Sequence, residues 1–426
     1  DDPNWAADFQ RHVAVYGKPH GKFGIDYFLY RTALTRDMPP FIVGRVRWDN
    51  WLLAQFIGNQ DAVAVDSTRV VMAVHLNHMK VGGSHERVGT DYNINLTKAD
   101  MVDPKKIGDI EMCDFVLAPV EDQTPPRRHG DEVQLPVGCP NCKLVRTEQS
   151  LDVMLYKHSK DGNIIIATIT SGYIDFAFNW LCSLRRVNIR NFLFHAADED
   201  LYRRLLGMGV PVIYYESEQA REFRLAHNAG SSAVDYGSVA YQALMNTRTE
   251  FIYKILQKGY NVLLCDVDII FLRDPFPFFD MSLDIQGGAH KKTKVTGGYV
   301  FFRATPAART VWVKVLLQHR DMFKQLQSMS EFNPHSMTEQ ELLNQMLIES
   351  KNTDLKWGVV DERVIADGKR FFIDKLTQKN GEWPAAIHNN YIVGADNKRE
   401  RFQNISMWMV KPDLTCRPFP RYLPPM

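Results

Sequence analysis

Residues 261–275 read Asn-Val-Leu-Leu-Cys-Asp-Val-Asp-Ile-Ile-Phe-Leu-Arg-Asp-Pro, an apolar run that carries two closely spaced carboxylates. Because alternate side chains of a β-strand share one face, we predict a buried strand that presents Asp266 and Asp268 on the same side. Carboxylates in so apolar a run are costly to desolvate unless a positive charge lies beside them, and a divalent cation with a phosphate behind it meets that need. The run therefore predicts a strand that ends at a metal site.

A purely structural role for this Asp-x-Asp pattern stays open at this point, because the pattern is common. One aspartate could cap the following turn while the other forms a surface salt bridge. Packing of the carboxylates against an arginine guanidinium, or far from any cleft, would count against the metal site.

Strand-like and helix-like segments alternate around this run, which favours an α/β fold with a mixed, mostly parallel, Rossmann-like sheet. The predicted strands are 163–170, 192–194 and 210–215, and the predicted helices are 174–186, 199–208 and 238–258. In such sheets ligands bind at the carboxyl ends of the strands. We therefore expect Thr168, Thr170 and Ser171 to line a nucleotide crevice together with the two aspartates.

Length and composition predict two globular domains, since 426 residues with 45% hydrophobic side chains exceed one ordinary core. A Pro-rich stretch at 119–150 is predicted to be a linker between an accessory domain at 1–118 and an α/β domain at 151–426. The 51 Lys and Arg residues balance 50 Asp and Glu residues. This balance gives no reason to expect a nucleic-acid or membrane-surface partner.

Cysteines and sequons favour a secretory compartment. For Cys139-Pro-Asn-Cys142 we favour a local disulfide over a zinc site or a redox pair. Acceptor sequons at Asn95 and Asn404 fit an oxidising lumen. No apolar stretch approaches the roughly 20 residues that cross a bilayer, and the first residues lack signal-peptide character. We therefore expect a trimmed ectodomain from the Golgi or ER lumen, anchored in the full-length protein as a type II membrane protein by a segment outside this chain.

Four segments together resemble the nucleotide-diphospho-sugar transferase family: 164–170, 179–181, 249–259 and 264–275. This family has the GT-A fold and includes plant xylosyl- and arabinosyltransferases and a protist galactosyltransferase. The resemblance covers about residues 160–400, and its most specific part is the Asp-x-Asp block with its trailing Leu-Arg-Asp-Pro. It implies that the domain at 151–426 is catalytic.

The resemblance also implies a metal shell. Asp266 and Asp268 would hold Mn²⁺ or Mg²⁺ against the two phosphates of a nucleotide sugar, and His388 would complete the shell. Gly394 and Lys398 would lie against the phosphates, and Val267 would lie among the nucleotide-sugar-binding positions. Taken without its surrounding motif, His388 could equally be an ordinary interface histidine.

Other implied positions concern the sugars. Gly297 and Gly298 would allow close approach of the donor sugar, although they could equally form a hairpin turn. Family members usually carry Asn-Thr-Gly there, whereas this chain has Val-Thr-Gly-Gly at 295–298. Glu339 and Gln340 would be the catalytic pair, positioning the acceptor and stabilising a cationic sugar in a retaining transfer. Thr338 and Glu341 are explained by a capping box, and Arg248 could pair with phosphate or with a surface carboxylate.

The first 118 residues resemble the second half of a GT-A domain, with a strand from residue 24, a turn at Pro39-Pro40 and a helix begun near Trp48. We interpret them as a degenerate half-repeat that supports the acceptor site. His75, His78 and His85 are read as loop residues rather than as a metal site. Buried packing is preferred over sugar stacking for a cluster of Arg45, Trp48 and Trp51.

The predicted function is that of a metal-dependent retaining glycosyltransferase, using a UDP-sugar donor and a glycan, polysaccharide or glycoprotein acceptor. A haloacid-dehalogenase-type phosphotransferase also ends a strand in Asp-x-Asp. There, however, the motif lies on the first strand of its domain. A non-catalytic carbohydrate-binding protein that kept the fold is the remaining alternative.

Overall fold

The computed structural model describes most of the chain from residue 149 onward and shorter stretches before it. The described residues are 5–16, 21, 23–25, 27–30, 38–41, 47–59, 62–68, 71, 90–96, 108–119, 132–134, 142–146, 149–227, 239–291, 294–327, 338–350, 353–375, 379, 381 and 383–418. The chain divides into two units, Asp1–Lys157 and His158–Met426. Among these residues, no helix is both long enough and apolar enough to cross a bilayer.

The N-terminal unit contains a small sheet whose described strands lie in the order β1-β2-β4-β3. These strands are β1 Val65–Asp66, β2 Phe115–Pro119, β3 Glu132–Gln134 and β4 Cys142–Arg146. Its helices include Trp5–Tyr16, Trp48–Gly58 and most of Leu151–His158. A buried ion pair between Lys157 and Asp114 joins the last helix to the residue directly before β2.

For the N-terminal unit, the predicted helix near Trp48 forms but the predicted strand from residue 24 does not. The helix near Trp48 is confirmed, and Trp51 is buried and packs on Phe41, as the packing interpretation requires. The strand from residue 24 is wrong over 24–25 and 27–30, where Tyr27 and Leu29 are exposed and no strand forms. An alternating pattern makes a strand only when a partner strand is available.

The division into domains differs from the predicted boundaries. Strands β3 and β4 lie inside 119–150. They pair with each other, and β4 also pairs with β2, so this stretch contributes to a sheet. The half-repeat role of residues 1–118 stays a prediction. Arg45, His75, His78, His85 and Cys139 lie outside the described residues, so the local disulfide prediction does too.

In the C-terminal unit a long sheet has its described strands in the order β12-β10-β11-β8-β5-β6-β7. These strands are β5 Asn163–Ile169, β6 Phe192–Ala196, β7 Val212–Tyr214, β8 Asn261–Cys265, β10 Ile285–Lys291, β11 Lys294–Phe302 and β12 Trp357–Val359. Strand β11 runs antiparallel to its neighbours β8 and β10, while β8, β5, β6 and β7 are parallel. This confirms the predicted GT-A-like α/β sheet, which is mixed and mostly parallel.

Helices flank this sheet, and several of them, such as Glu199–Gly207, Val239–Gln257 and Glu339–Glu349, pack buried apolar side chains against its strands. They are Ile174–Arg186, Glu199–Gly207, Glu218–His227, Val239–Gln257, Pro306–Gln327, Glu339–Glu349 and Ala395–Asn404. Trp180 is fully buried and its ring lies 5.1 Å from that of Phe194 on β6. Burial of such aromatic side chains is the main stabilising contribution of this core.

A disulfide between Cys182 and Cys416 ties the first of these helices to the C-terminal segment. The local sequence predicts a disulfide at Cys139 and Cys142 but gives no sign of this pair, because Cys182 and Cys416 are 234 positions apart. Cys113 and Cys265 are buried.

A second, shorter sheet positions the site. Its described strands are β13 Ile365–Ala366, β14 Ala386–His388 and β9 Ile269–Phe271, in that order. Strand β14 runs antiparallel to β9, and His388 pairs with Ile269. This register brings His388 next to the Asp-x-Asp segment, which directly precedes β9.

Candidate active site

The two predicted metal ligands lie in a turn between two strands. Strand β8 ends at Cys265 and β9 begins at Ile269, so Asp266 and Asp268 are not alternate residues of one continuous strand. That part of the prediction is wrong, because the chain leaves β8 in a turn at Val267 and Asp268, after the Asp266 N–H has made a last bond to the Gly298 carbonyl of β11 at 2.9 Å. The turn, and not the pleat of a strand, directs the two carboxylates toward one place.

His388 joins these carboxylates. Its Nε2 lies 3.4 Å from Asp268 Oδ1 and 3.8 Å from Asp266 Oδ2. One ligand atom from each of the three residues lies within 4.8 Å of the others. Asp268 and His388 are buried, whereas the Asp266 side chain is 39% exposed, so the group is open on the Asp266 side.

The surroundings fit a divalent cation. A Cβ on Gly298 would lie 2.3 Å from Asp266 Oδ2 and 2.7 Å from His388 Cε1, so only glycine leaves space for these two side chains to converge. Two carboxylates and an imidazole form a ligand set that suits divalent metals of the Mn²⁺ type. The three residues can therefore hold a divalent metal ion.

Two nearby charges act on Asp268. Lys398, on the helix Ala395–Asn404, donates to Asp268 Oδ2 at 2.7 Å. Burial opposes ionisation of Asp268, but the charges of Lys398 and His388 outweigh it and hold its pKa well below the ordinary value. Burial likewise opposes the charged form of His388, yet the negative charge of Asp268 raises the pKa of that imidazole overall. Asp268 is therefore a permanent anion.

Arg248 contacts the other aspartate. It is buried on the helix Val239–Gln257, and its guanidinium lies 3.2 Å from Asp266 Oδ1 and forms a second, close ion pair with Glu339. Judged from the sequence alone, a guanidinium packed against these carboxylates counts against a metal site. It takes one oxygen of Asp266, while Oδ2 faces His388 and stays available. Arg248 therefore pairs with the buried Glu339 and the half-exposed Asp266, whereas the alternative considered from the sequence was a surface carboxylate. The favoured contact of Arg248 with phosphate stays a prediction.

The predicted catalytic pair lies at the start of the helix Glu339–Glu349. Glu339 is buried, and its Oε2 has no hydrogen-bond partner in the described part of the chain. Gln340 Oε1 accepts the Gly297 N–H at 2.7 Å, which brings this side chain to the Gly297–Gly298 backbone. The predicted capping box of Thr338 and Glu341 is confirmed.

The remaining predicted positions lie around this group. The parallel register pairs Ile166 with Leu264, so Thr168 follows at the level of Asp266, but its hydroxyl lies 3.0 Å from His195 Nδ1. Thr170 and Ser171 lead from β5 into the next helical turn, and Val267 is a buried residue between the two aspartates. Gly394 has a φ of +90° and precedes the helix that carries Lys398. Their contacts with a nucleotide stay predictions.

Sequence reasoning missed Asn389. This residue is fully buried, its N–H donates to the Asp268 carbonyl at 2.9 Å and its side-chain amide donates to the Lys398 carbonyl at 2.8 Å. Asn389 therefore fixes both ends of the Lys398–Asp268 contact. Its position directly after His388 was the signal that could have identified it.

A cavity of about 660 Å³ lies elsewhere in the C-terminal unit, and it is lined by residues such as Asp284, Arg303 and Lys314. None of its lining residues belongs to the Asp266–Asp268–His388 group. We place the candidate site at this group because the ligand chemistry converges there.

Comparison with known proteins agrees with this geometry. Residues 187–402 match the family described as nucleotide-diphospho-sugar transferase. The chain belongs to this family. The resemblance stated from the sequence is thereby confirmed for the half of the chain that contains Asp266, Asp268 and His388.

Curated members of the family similar to this chain are named glycosyltransferases, the enzyme class predicted from the sequence. A UDP-galactose:fucoside alpha-3-galactosyltransferase from Dictyostelium discoideum is 25% identical over 43% of this chain and 30% of its own length. A UDP-D-xylose:L-fucose alpha-1,3-D-xylosyltransferase from Arabidopsis thaliana is 24% identical over 59% of this chain and 71% of its own length. The chain thus spans about a third of the first relative.

Solved structures of glycosyltransferases are also similar, but weakly. The galactosyltransferase LgtC, in complex with donor and acceptor sugar analogs, has a TM-score of 0.35 at 12% identity, covering 60% of this chain and 97% of LgtC. The glycosyltransferase GlyE from Streptococcus pneumoniae has a TM-score of 0.35 at 13% identity, covering 58% of this chain and 61% of GlyE.

Proposed function

We propose that this nucleotide-diphospho-sugar transferase moves a sugar from a UDP-sugar to a hydroxyl of a glycan or glycoprotein, with a divalent metal and with retention at the anomeric carbon. The observation that carries the proposal is the convergence of Asp266, Asp268 and His388 within 4.8 Å beside Gly298. Mixed O and N ligands of this kind are suited to a cation that binds diphosphate.

Asp266, Asp268 and His388 would hold the metal, which we take to be Mn²⁺ with Mg²⁺ as the alternative. When bound, such an ion supplies positive charge that stabilises the departing diphosphate. Lys398 keeps one Asp268 oxygen occupied at 2.7 Å and orients the other toward His388. It also adds a cation beside the place assigned to the phosphates, together with Arg248.

The reaction breaks the bond between the anomeric carbon and the diphosphate and forms a bond from that carbon to the acceptor oxygen. In a retaining transfer on one face of the sugar, the acceptor proton passes to a diphosphate oxygen, so the chain need not supply a strong base. Glu339 agrees with this role, because its ion pair with Arg248 suits it to electrostatic stabilisation rather than to proton abstraction.

Gln340 and the two glycines would position the donor sugar. The side-chain oxygen of Gln340 accepts a hydrogen bond from the Gly297 N–H, and this bond orients the amide NH₂ of Gln340 for a further contact. A side chain at position 297 would lie 3.0 Å from Gln340 Cβ, and one at 298 would collide with Asp266. Both glycines therefore leave room for the side chains that would hold the donor and the metal, Gln340 at position 297 and Asp266 at position 298.

Substrate and compartment follow from the names of relatives, the disulfide and the sequons. The names of two relatives state UDP-galactose and UDP-D-xylose as donors and a fucoside or L-fucose as acceptor. We therefore propose these donors and fucose-containing glycans as the first substrates to test. The Cys182–Cys416 disulfide and the sequons support a Golgi or ER lumen for this chain.

The test is donor binding and turnover with and without metal. The wild-type chain should show a thermal shift with UDP that requires Mn²⁺ and is abolished by EDTA, and it should hydrolyse or transfer at least one of UDP-galactose, UDP-xylose and UDP-arabinose. Asp268→Asn should lose the metal-dependent shift. Asp200→Asn, at an exposed position in the first turn of the helix Glu199–Gly207, should retain it.

Two outcomes would decide against the proposal. If UDP gives no shift and EDTA changes nothing, the chain is not a metal-dependent nucleotide-sugar enzyme. If UDP and glycans bind but no UDP-sugar is ever consumed, the non-catalytic carbohydrate-binding alternative replaces it.

A further inference from the structure

A second group of polar side chains lies on the other side of His388. In the short sheet, Ala366 of β13 pairs with Ile387 of the parallel strand β14. Because the two strands run parallel, the next residues along them, Asp367 after β13 and His388 on β14, also lie side by side. A small cavity is lined by Asp367, Arg370 and His388, so the carboxylate and the imidazole border the same space.

The loops that carry this group are fixed to each other. The Gly368 N–H donates to Asn390 Oδ1 at 2.6 Å, and a Cβ on Gly368 would lie 2.1 Å from the Asn390 carbonyl oxygen. Glycine at 368 therefore allows the loop after β13 to lie directly on the loop after β14. Asp367 Oδ1 accepts the Arg370 N–H at 2.8 Å, which holds this carboxylate in place.

An exposed aromatic ring completes the group. Tyr391 is 46% exposed and has a φ of +57°, a conformation that is uncommon for a bulky residue and that costs free energy. Burial raises the pKa of the Tyr391 phenol, and the negative charge of Asp367 raises it further, while Arg370 lowers it. The phenol therefore lies close enough to both side chains to respond to their charges.

We propose that Asp367, Arg370 and Tyr391 form an acceptor-sugar subsite beside His388. The Tyr391 ring would pack on the apolar face of a pyranose, and Asp367 and Arg370 would bind its hydroxyls. Aromatic rings with an apolar face and a polar edge suit sugars, and a carboxylate and a guanidinium accept and donate the hydroxyl hydrogen bonds. This inference rests on the proposed function and assigns the side of the site from which the acceptor enters.

The assignment to acceptor rather than donor follows from exposure. The diphosphate is assigned to Asp266, Asp268 and Lys398, and the donor sugar to the buried Glu339 with Gln340. The Tyr391 ring is open to solvent, where a sugar that belongs to a larger glycan can be reached. An exposed subsite next to the imidazole is therefore suited to the sugar that carries the attacking hydroxyl.

A glycan array probed with the labelled protein in the presence of UDP and Mn²⁺ tests this subsite. Asp367→Asn keeps an oxygen for the Arg370 N–H but loses the charge, and Tyr391→Asn removes the ring while tolerating a positive φ. Both should weaken binding to the best wild-type glycans by roughly tenfold, the size of a lost charged hydrogen bond or stacking contact. Asp361→Asn, an exposed carboxylate paired with Arg363 on the same segment, should bind as the wild type does.

Thermal shift by UDP with Mn²⁺ is measured on every variant, which separates the subsite from the donor site and reports folding. Loss of glycan binding with an unchanged UDP shift supports the acceptor subsite. Three outcomes overturn the subsite while the proposed function stands. Both variants bind glycans as the wild type does, the wild type binds UDP but no glycan, or both variants show a weakened UDP shift. Failure of the wild type to bind UDP removes the proposed function and the subsite with it.

Discussion

His388 Nε2 lies 3.4 Å from Asp268 Oδ1, although the two residues come from distant parts of the chain. The short sheet causes this contact, because the antiparallel pairing of β14 with β9 sets His388 opposite Ile269. The hydrogen bond from the Asn389 N–H to the Asp268 carbonyl continues that pairing by one residue. A strand pairing outside the main sheet therefore assembles the metal-ligand group.

Replacement of Gly298 by alanine should disable the metal group without unfolding the chain. The added Cβ would lie 2.3 Å from Asp266 Oδ2, so this carboxylate must turn away from His388. We expect Gly298→Ala to weaken Mn²⁺ binding at least tenfold, on the order of 1.4 kcal/mol or more, in a calorimetric titration. Gly358→Ala is the matched strand control, because its Cβ would meet only the end of Leu283. Wild-type Mn²⁺ affinity in Gly298→Ala would show that Asp266 is not a ligand.

The buried pair of Arg248 and Glu339 should make single substitutions costly for folding. Both side chains are buried, so Arg248→Met leaves the Glu339 carboxylate without its partner. We expect this variant to lose about 3–5 kcal/mol of unfolding free energy in urea titrations. The double variant Arg248→Met/Glu339→Leu should recover most of that loss and still show no sugar transfer. A single variant as stable as the wild type would contradict the ion pair.

Reduction of the Cys182–Cys416 disulfide should lower stability markedly. The bond connects residues 234 positions apart, and closing so long a loop restricts the unfolded chain. We expect dithiothreitol to lower the unfolding free energy by about 2–5 kcal/mol. The double variant Cys182→Ala/Cys416→Ala should have the reduced stability and no response to reductant. An equal response in wild type and double variant would assign the effect to other cysteines.

Stability should fall in mild acid through His195. Burial lowers the pKa of His195 to about 4 in the folded chain, against an ordinary value of 6.5, so the unfolded state binds the proton first. The stabilising contribution is present above pH 6.5 and is lost as the pH falls toward 4. Between pH 7 and pH 5 this one group should cost about 2 kcal/mol.

Urea unfolding of the wild type and of His195→Gln at the two pH values isolates this contribution. The variant should show a smaller loss between pH 7 and pH 5 by about that amount. His319, whose pKa burial also lowers to about 4, remains in both proteins and serves as an internal reference. An identical pH dependence in the two proteins would mean that His195 is not buried as a neutral imidazole.

Much of the C-terminal unit could be predicted from local sequence. The alternation of apolar strands with amphipathic helices fixed the type and order of the elements around β5, β6 and β8, because a buried parallel strand needs an apolar run and a flanking helix needs an apolar face. The capping box at Thr338 was readable for the same reason, since it depends on residues three positions apart. The strand predicted from residue 24 was wrong because strand formation depends on a partner that the local pattern does not reveal.

The sequence by itself determined that Asp266 and Asp268 follow a buried strand and that His388 belongs to a motif typical of this family. Only the tertiary structure decided that Arg248 occupies one oxygen of Asp266, that Lys398 occupies one of Asp268, and that Asp367 comes level with His388. The physical reason is that a motif fixes residues close together in the chain. Contacts across strands and between helices depend on register and packing, which no local pattern contains.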